Sequence, residues 1–160
     1  MKRKVIFLDV DGVLNSEKFF IARKPGLNKD SNYPYSHLDN DAVGRFAYFV
    51  AELKNNFEVK IVISSSWRVM NYDEIRQVLA KNFIARYDEF TRTEYSDGDR
   101  GQEILNYCAF YGIDVSEIIV IDDDDFDIKD YIPAENFIHT SWKNGLTYKL
   151  VSDFLNKLAV

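Results

Sequence analysis

Three clusters of polar residues each follow a short apolar run, and their chemical types suit one task. Asp9-Val10-Asp11-Gly12-Val13 follows Val5 to Leu8, Ser64-Ser65-Ser66-Trp67-Arg68 follows Val59 to Ile63, and Asp122-Asp123-Asp124-Asp125 follows Ile118 to Ile121. Asp9 and Asp11, joined by Asp122 or Asp123, would repel one another strongly without a cation among them. A hard divalent ion such as Mg²⁺ answers that need, because it takes oxygen ligands, keeps several waters and accepts a phosphate beside a few carboxylates. The hydroxyls and backbone N–H groups of Ser64 and Ser65 are donors for phosphate oxygens. Arg100 offers a cation to offset charge on a group in transfer. An Asp carboxylate is a nucleophile that forms aspartyl-phosphates. A second Asp two residues on can protonate the leaving oxygen and then activate water.

Each cluster alone has a simpler reading. D-x-D pairs occur in many turns, a run of four Asp is usually a solvated loop, and Ser66 could cap a helix that starts near Trp67. Their shared position argues for the chemical reading. Between the apolar runs, apolar residues recur at helical spacing over residues 40–55 (Val43, Phe46, Ala47, Val50, Leu53), with Asp39 or Asn40 as N-cap. The same spacing appears over 72–81, over 101–111 (Ile104, Leu105, Cys108 and Ala109 inward, Gly112 as the stop) and over 146–158. Residues 83–87 and 136–139 read as weaker strands, and Asp97-Gly98 as a turn. The segment from Leu14 to Asp39 reads as polar and irregular, broken by Pro25-Gly26 and Pro34. Apolar strands alternating with amphipathic helices predict an α/β fold: a three-layer, Rossmann-like parallel sheet with helices on both faces. Such sheets bind ligands at the carboxyl ends of their strands, where strand order reverses. All three polar clusters belong at that edge.

The bulk properties agree with one compact domain over residues 1–160. A single cysteine, Cys108, excludes an intramolecular disulfide and is expected to be a small buried hydrophobe. The apolar run after Lys2-Arg3-Lys4 is broken by Asp9 and Asp11, too early for a signal peptide, and no stretch approaches a membrane span. A soluble, cytoplasmic protein without a membrane partner is the expectation. The net charge of -6 disfavours broad electrostatic binding to nucleic acid, but carboxylates gathered on a metal do not repel a substrate once the metal is bound.

Phe7-Leu8-Asp9-Val10-Asp11-Gly12-Val13-Leu14-Asn15 resembles the first motif of the haloacid dehalogenase (HAD) superfamily of phosphohydrolases. That resemblance implies Asp9 as nucleophile, Asp11 as general acid and base, and Asp9 with the Asp11 backbone carbonyl as metal ligands. Gly12 would allow the tight turn beside the phosphate. Ile63-Ser64 resembles the second motif, with Ser64 on the phosphate and Ser65 its rival. Arg100 stands where the superfamily usually has a Lys, and Arg can clamp phosphate in its place. Val120-Ile121-Asp122-Asp123 resembles the fourth motif, with Asp122 as metal ligand, direct or through water, and Asp123 in support. Together with Gly145-Leu146-Thr147, these motifs resemble a small capless branch that includes phosphatase modules of RNA-repair proteins.

Too few residues separate Asn15 from Asp39 for a folded cap, so an open site for a polymer end is expected, as in 3′-phosphate removal from RNA or DNA. Phe19, Phe20, Arg23, Lys24, Tyr33, Tyr35, Trp67 and Arg68 are candidates to stack bases or hold backbone phosphates. Two alternatives stand beside this reading. One is a nucleotidase or small-metabolite phosphatase lidded by Leu14 to Asp39. The other is a non-catalytic phosphate- or partner-binding module on the same fold. His37 and His139 receive no role, and oligomeric state has no signature.

Overall fold

A computed structural model describes residues 2–22, 37–82, 84, 90–94 and 99–158. The central sheet has five parallel strands: β1 (Lys2–Leu8), β2 (Phe57–Ile63), β3 (Phe90–Arg92), β4 (Ile118–Asp122) and β5 (Phe137–His139), in the order β3-β2-β1-β4-β5. The order reverses at β1, so the crevice between β1 and β4 is the switch point where such sheets bind ligands.

The helices are α1 (Glu17–Ala22), α2 (Asn40–Lys54), α3 (Trp67–Met70), α4 (Tyr72–Lys81), α5 (Arg100–Tyr111) and α6 (Tyr148–Leu158). Side chains alternate along each strand, which divides the core in two. On one face Ile6, Leu8, Ile61, Ile63, Ile119 and Ile121 pack with Phe46, Phe49, Val50 and Leu53 of α2, Ile75, Val78 and Leu79 of α4, and Val151 and Phe154 of α6. On the other face Val5, Phe7, Val62, Ile118 and Val120 meet Ile104 and Cys108 of α5, with Ile128 and Ile132. Helices therefore cover both faces, and among the described residues no obvious large cap stands over the sheet edge.

The helix ends follow local chemistry. Asp39 caps α2, its side chain accepting from the Asp41 amide. Gly112 ends α5 in the left-handed conformation, as its position predicts. Cys108 is buried, and burial pushes its thiol up to about 11, where it is inert.

Several boundaries differ from the sequence reading. Part of the segment taken as irregular is helical: Ser16 Oγ accepts from the Phe19 amide and starts α1. Ala109, expected inward, is exposed. The last helix starts at Tyr148 rather than Leu146, because Thr147 Oγ1 accepts from the Leu150 amide and caps it. Of the strand expected over 83–87, only Ile84 lies among the described residues, as a buried residue in a bend, and β3 lies further on. Arg23, Lys24, Tyr33, Tyr35, the Asp97-Gly98 turn and most of the proposed lid lie outside the described residues.

Two helical glycines give opposite expectations. A Cβ at Gly44 in α2 would meet nothing within 4 Å, whereas one at Gly101 in α5 would fall 2.5 Å from Tyr131 Cδ2 and 2.7 Å from the Asp127 carbonyl oxygen. Gly44→Ala should stabilise the fold by about 0.5–1 kcal/mol through the unfolded chain. Gly101→Ala should destabilise it by about 1–3 kcal/mol through overpacking. Urea denaturation of the two variants checks the sign, and stabilisation by both would show that α5 is not docked this closely.

Candidate active site

Strand register builds the site. Leu8 pairs with Ile63 on one side and Ile121 on the other. Asp9, Ser64 and Asp122 therefore lie side by side at the carboxyl edge. The Ser64 amide donates to the Leu8 carbonyl at 3.0 Å, and the Asp9 amide donates to the Ile121 carbonyl at 3.0 Å. Ligand oxygens of Asp9, Asp122 and Asp123 all lie within 4.8 Å of one another, the first two residues buried and the third half-buried.

The loop after β1 turns at Gly12, whose φ of +71° favours glycine. A Cβ there would sit 2.2 Å from the Asp123 carboxylate carbon, so Gly12 also lets Asp123 approach. Thr140 Oγ1 donates to the Gly12 carbonyl at 2.7 Å and ties this loop to the end of β5.

Arg100 enters from the first turn of α5. Its guanidinium donates to Asp122 Oδ2 at 2.6 Å and lies 3.3 Å from Asp9 Oδ1. Asp127, in the loop after β4, accepts from the Arg100 amide at 2.8 Å and caps the helix from outside.

Among the described residues, one guanidinium beside three carboxylates leaves two negative charges uncompensated. Burial raises the Asp9 carboxyl above its ordinary range despite the nearby Arg100. Burial, then the charge of Asp9, pushes Asp122 up to about 7, and the same two causes raise Asp123. Burial works to lower the Arg100 guanidinium, but Asp9 and Asp122 outweigh it and hold it above its usual value. A divalent cation fits this donor set. The donors are hard carboxylate oxygens, and two positive charges match the excess.

The Ser64–Arg68 segment is held from beneath. Arg68 is 4% exposed and donates to the Ser64 and Ser65 carbonyls at 2.7 Å each and to Glu103 Oε2 at 2.6 Å. Glu103 lies one turn along α5 from Arg100, so this buried ion pair joins the serine loop to the helix that delivers Arg100. Truncating one member of such a pair strands the other, at a cost of about 3–5 kcal/mol. Arg68, expected toward substrate, points its guanidinium inward. The Ser65 hydroxyl accepts from the Trp67 amide at 3.3 Å, whereas Ser66 makes no capping bond. The Ser64 hydroxyl is fully buried with no partner among the described residues.

Asp11 stands apart from the carboxylate group. Its Oδ1 accepts from Asn15 Nδ2 at 2.7 Å and its Oδ2 from the Trp67 indole N–H at 2.9 Å. Sequence reasoning missed Glu103, the long-range bond of Trp67 and the Thr140 tie. Only Glu103 left a signal, its three-residue spacing from Arg100.

The raised carboxyls set a pH dependence. Asp122 holds its proton to about 7 in the folded chain, against about 4 when unfolded. The metal-free folded state therefore binds more protons in that window and loses stability as pH rises through it. Thermal melts in EDTA should fall from about pH 5 to about pH 7.5, and a divalent cation should raise the melting temperature more at the upper end. An equal cation effect at both ends would contradict this charge arrangement.

Among the described residues no helix is long and apolar enough to cross a membrane. No curated protein matches the chain at a significant level. The family model described as the HAD domain in Swiss Army Knife RNA repair proteins matches residues 5–151, from β1 into α6. The chain belongs to that family of the HAD superfamily and has the HAD-type phosphohydrolase fold, with an aspartate cluster able to hold a metal ion at its sheet edge.

Proposed function

We propose that this chain is a Mg²⁺-dependent phosphomonoesterase that works through an aspartyl-phosphate on Asp9 and acts on polynucleotide ends, as a 3′-phosphatase. One observation carries the chemistry: Asp9 lies in a buried carboxylate group beside the Arg100 guanidinium, at the switch point of a parallel sheet. The carboxylates of Asp9, Asp122 and Asp123 and the backbone carbonyl of Asp11 would hold Mg²⁺, which neutralises charge on phosphoryl oxygens.

In the first half-reaction an Asp9 oxygen bonds to phosphorus as the ester P–O bond breaks, and Asp11 gives its proton to the departing oxygen. In the second, Asp11 takes a proton from water, whose oxygen bonds to phosphorus and releases inorganic phosphate and the Asp9 carboxylate. Ser64, with Ser65 and the Gly12 turn, holds phosphoryl oxygens. The buried, unpartnered Ser64 hydroxyl supports this assignment, because such a group is costly unless something bonds to it. Arg100 faces the same charge.

Three observations favour a polymer end. Among the described residues the sheet edge has no obvious large cap, and the matched family is named for RNA repair proteins. Phe20 and the part-exposed Trp142 form a ring pair 5.9 Å apart, and the Glu17 amide donates to the Trp142 carbonyl, so aromatic surface lies along the loop leaving the first motif. All five strands belong to one sheet, which favours one domain over residues 1–160. The single free cysteine fits a cytoplasmic setting.

The test is phosphate release, with Mg²⁺ and with EDTA, from 3′-phosphorylated RNA and DNA, 5′-phosphorylated oligonucleotides and mononucleotides. Metal-dependent release is expected preferentially from 3′ ends, and Asp9→Asn should lose at least about a thousandfold in kcat with its fold intact by circular dichroism. Preference for mononucleotides would favour a lidded nucleotidase. No release from any substrate by folded, metal-loaded protein would favour a binding module.

A further inference from the structure

Trp67 is the only described residue outside the first-motif loop that an observed hydrogen bond connects to Asp11. Asn15 belongs to that loop: it is buried, accepts from the Gly12 amide at 3.0 Å and donates to Asp11 Oδ1. The bond from Trp67 comes from 56 positions along the chain, off the one-turn helix that follows the serines. Trp67 is itself held, its half-buried ring packed against the core beneath the sheet and its amide bonded to Ser65 Oγ. The neighbouring Arg68 fastens the same turn to the Ser64 and Ser65 carbonyls.

The chemistry of the pair is one-sided. An indole N–H only donates, and each carboxylate oxygen has two lone pairs. Trp67 and Asn15 together take one lone pair on each Asp11 oxygen and leave one on each free to carry a proton. The carboxylate is thus fixed in orientation without being prevented from accepting or giving a proton. Neither bond brings Asp11 into the group formed by Asp9, Asp122 and Asp123.

We infer that Trp67 is a positioning residue for proton transfer: its indole N–H holds the Asp11 carboxylate at the angle needed to protonate the leaving oxygen, and links that angle to the serine loop on the phosphate. This rests on Asp11 acting as the general acid. Trp67 then has a role distinct from core packing and from stacking on a base. Loss of the N–H leaves Asp9 free to attack but misdirects the proton, so esters with poor leaving groups suffer most.

The test uses the full chain with Mg²⁺ and a series of aryl phosphates from phenyl to dinitrophenyl, which are base-free and similar in size but differ in leaving-group acidity. The readout is the slope of log kcat/KM against leaving-group pKa, because kcat/KM reports only steps through ester cleavage. Trp67→Phe, and Trp67 replaced by benzothienylalanine, which keeps the indole shape without its N–H, should steepen the slope. The phenyl ester should lose about tenfold more kcat/KM than the dinitrophenyl ester, within the range general acids supply. Asp11→Asn should steepen it at least as much. If Asp11→Asn steepens the slope and both Trp67 replacements leave it at the wild-type value, the positioning role is overturned and the acid role of Asp11 stands. If Asp11→Asn leaves the slope unchanged, the acid role fails and takes the positioning role with it.

Discussion

Three carboxylates are brought to one place by the register of a parallel sheet, with the Arg100 guanidinium beside them. The backbone ladder fixes Asp9 beside Asp122 before any side chain is considered, since Leu8 and Ile121 are paired neighbours. Burial pushes all three carboxyls toward the protonated form, and the charge of Asp9 adds to it at Asp122 and Asp123. A fold gains nothing from such an arrangement alone, and the core on both sheet faces must outweigh it. A divalent cation relieves the repulsion and restores charged carboxylates. The same arrangement that makes the metal-free edge unfavourable makes the cluster able to hold a metal ion.

The surrounding residues keep that edge from relaxing. Gly12 allows Asp123 to press against the first loop, and Thr140 fastens the loop from the far side. Asp127 and Gly101 seat the start of α5 so that Arg100 reaches both carboxylates. The Arg68–Glu103 pair then joins this helix to the serine loop. Positions far apart in the chain are thereby locked together, as a site that acts by preorganised electrostatics requires.

Much of this was legible in the sequence because it is local. Apolar runs ending in Asp9, Ser64 and Asp122 predict buried parallel strands, and the parallel rule then places their ends at one edge. The HAD motifs named Asp9, Asp11, Ser64, Arg100 and Asp122, and the structure brings these positions to that edge. What stayed hidden is long-range or weakly patterned. β3 is three residues long and contains Thr91 and Arg92, too short and too polar for an apolar run. The α1 helix is a single capped turn and a half inside a stretch full of breakers. Arg68 reads as a cation for substrate phosphate because its partner lies 35 positions away, and Trp67 reads as a ring for stacking on a base because its acceptor lies 56 positions back. Hydrogen bonds between distant side chains have no period, so neither spacing nor composition reveals them.

The most direct measurement is to find where phosphate becomes covalently attached. Protein turning over 4-nitrophenyl phosphate with Mg²⁺ would be quenched in acid, reduced with borohydride to convert an aspartyl-phosphate to homoserine, and mapped by mass spectrometry. Conversion is expected at Asp9 alone, and only when the divalent cation is present. Conversion at another residue, or phosphate release with no residue converted, would contradict Asp9 as the nucleophile and with it the role assigned to the buried carboxylate edge.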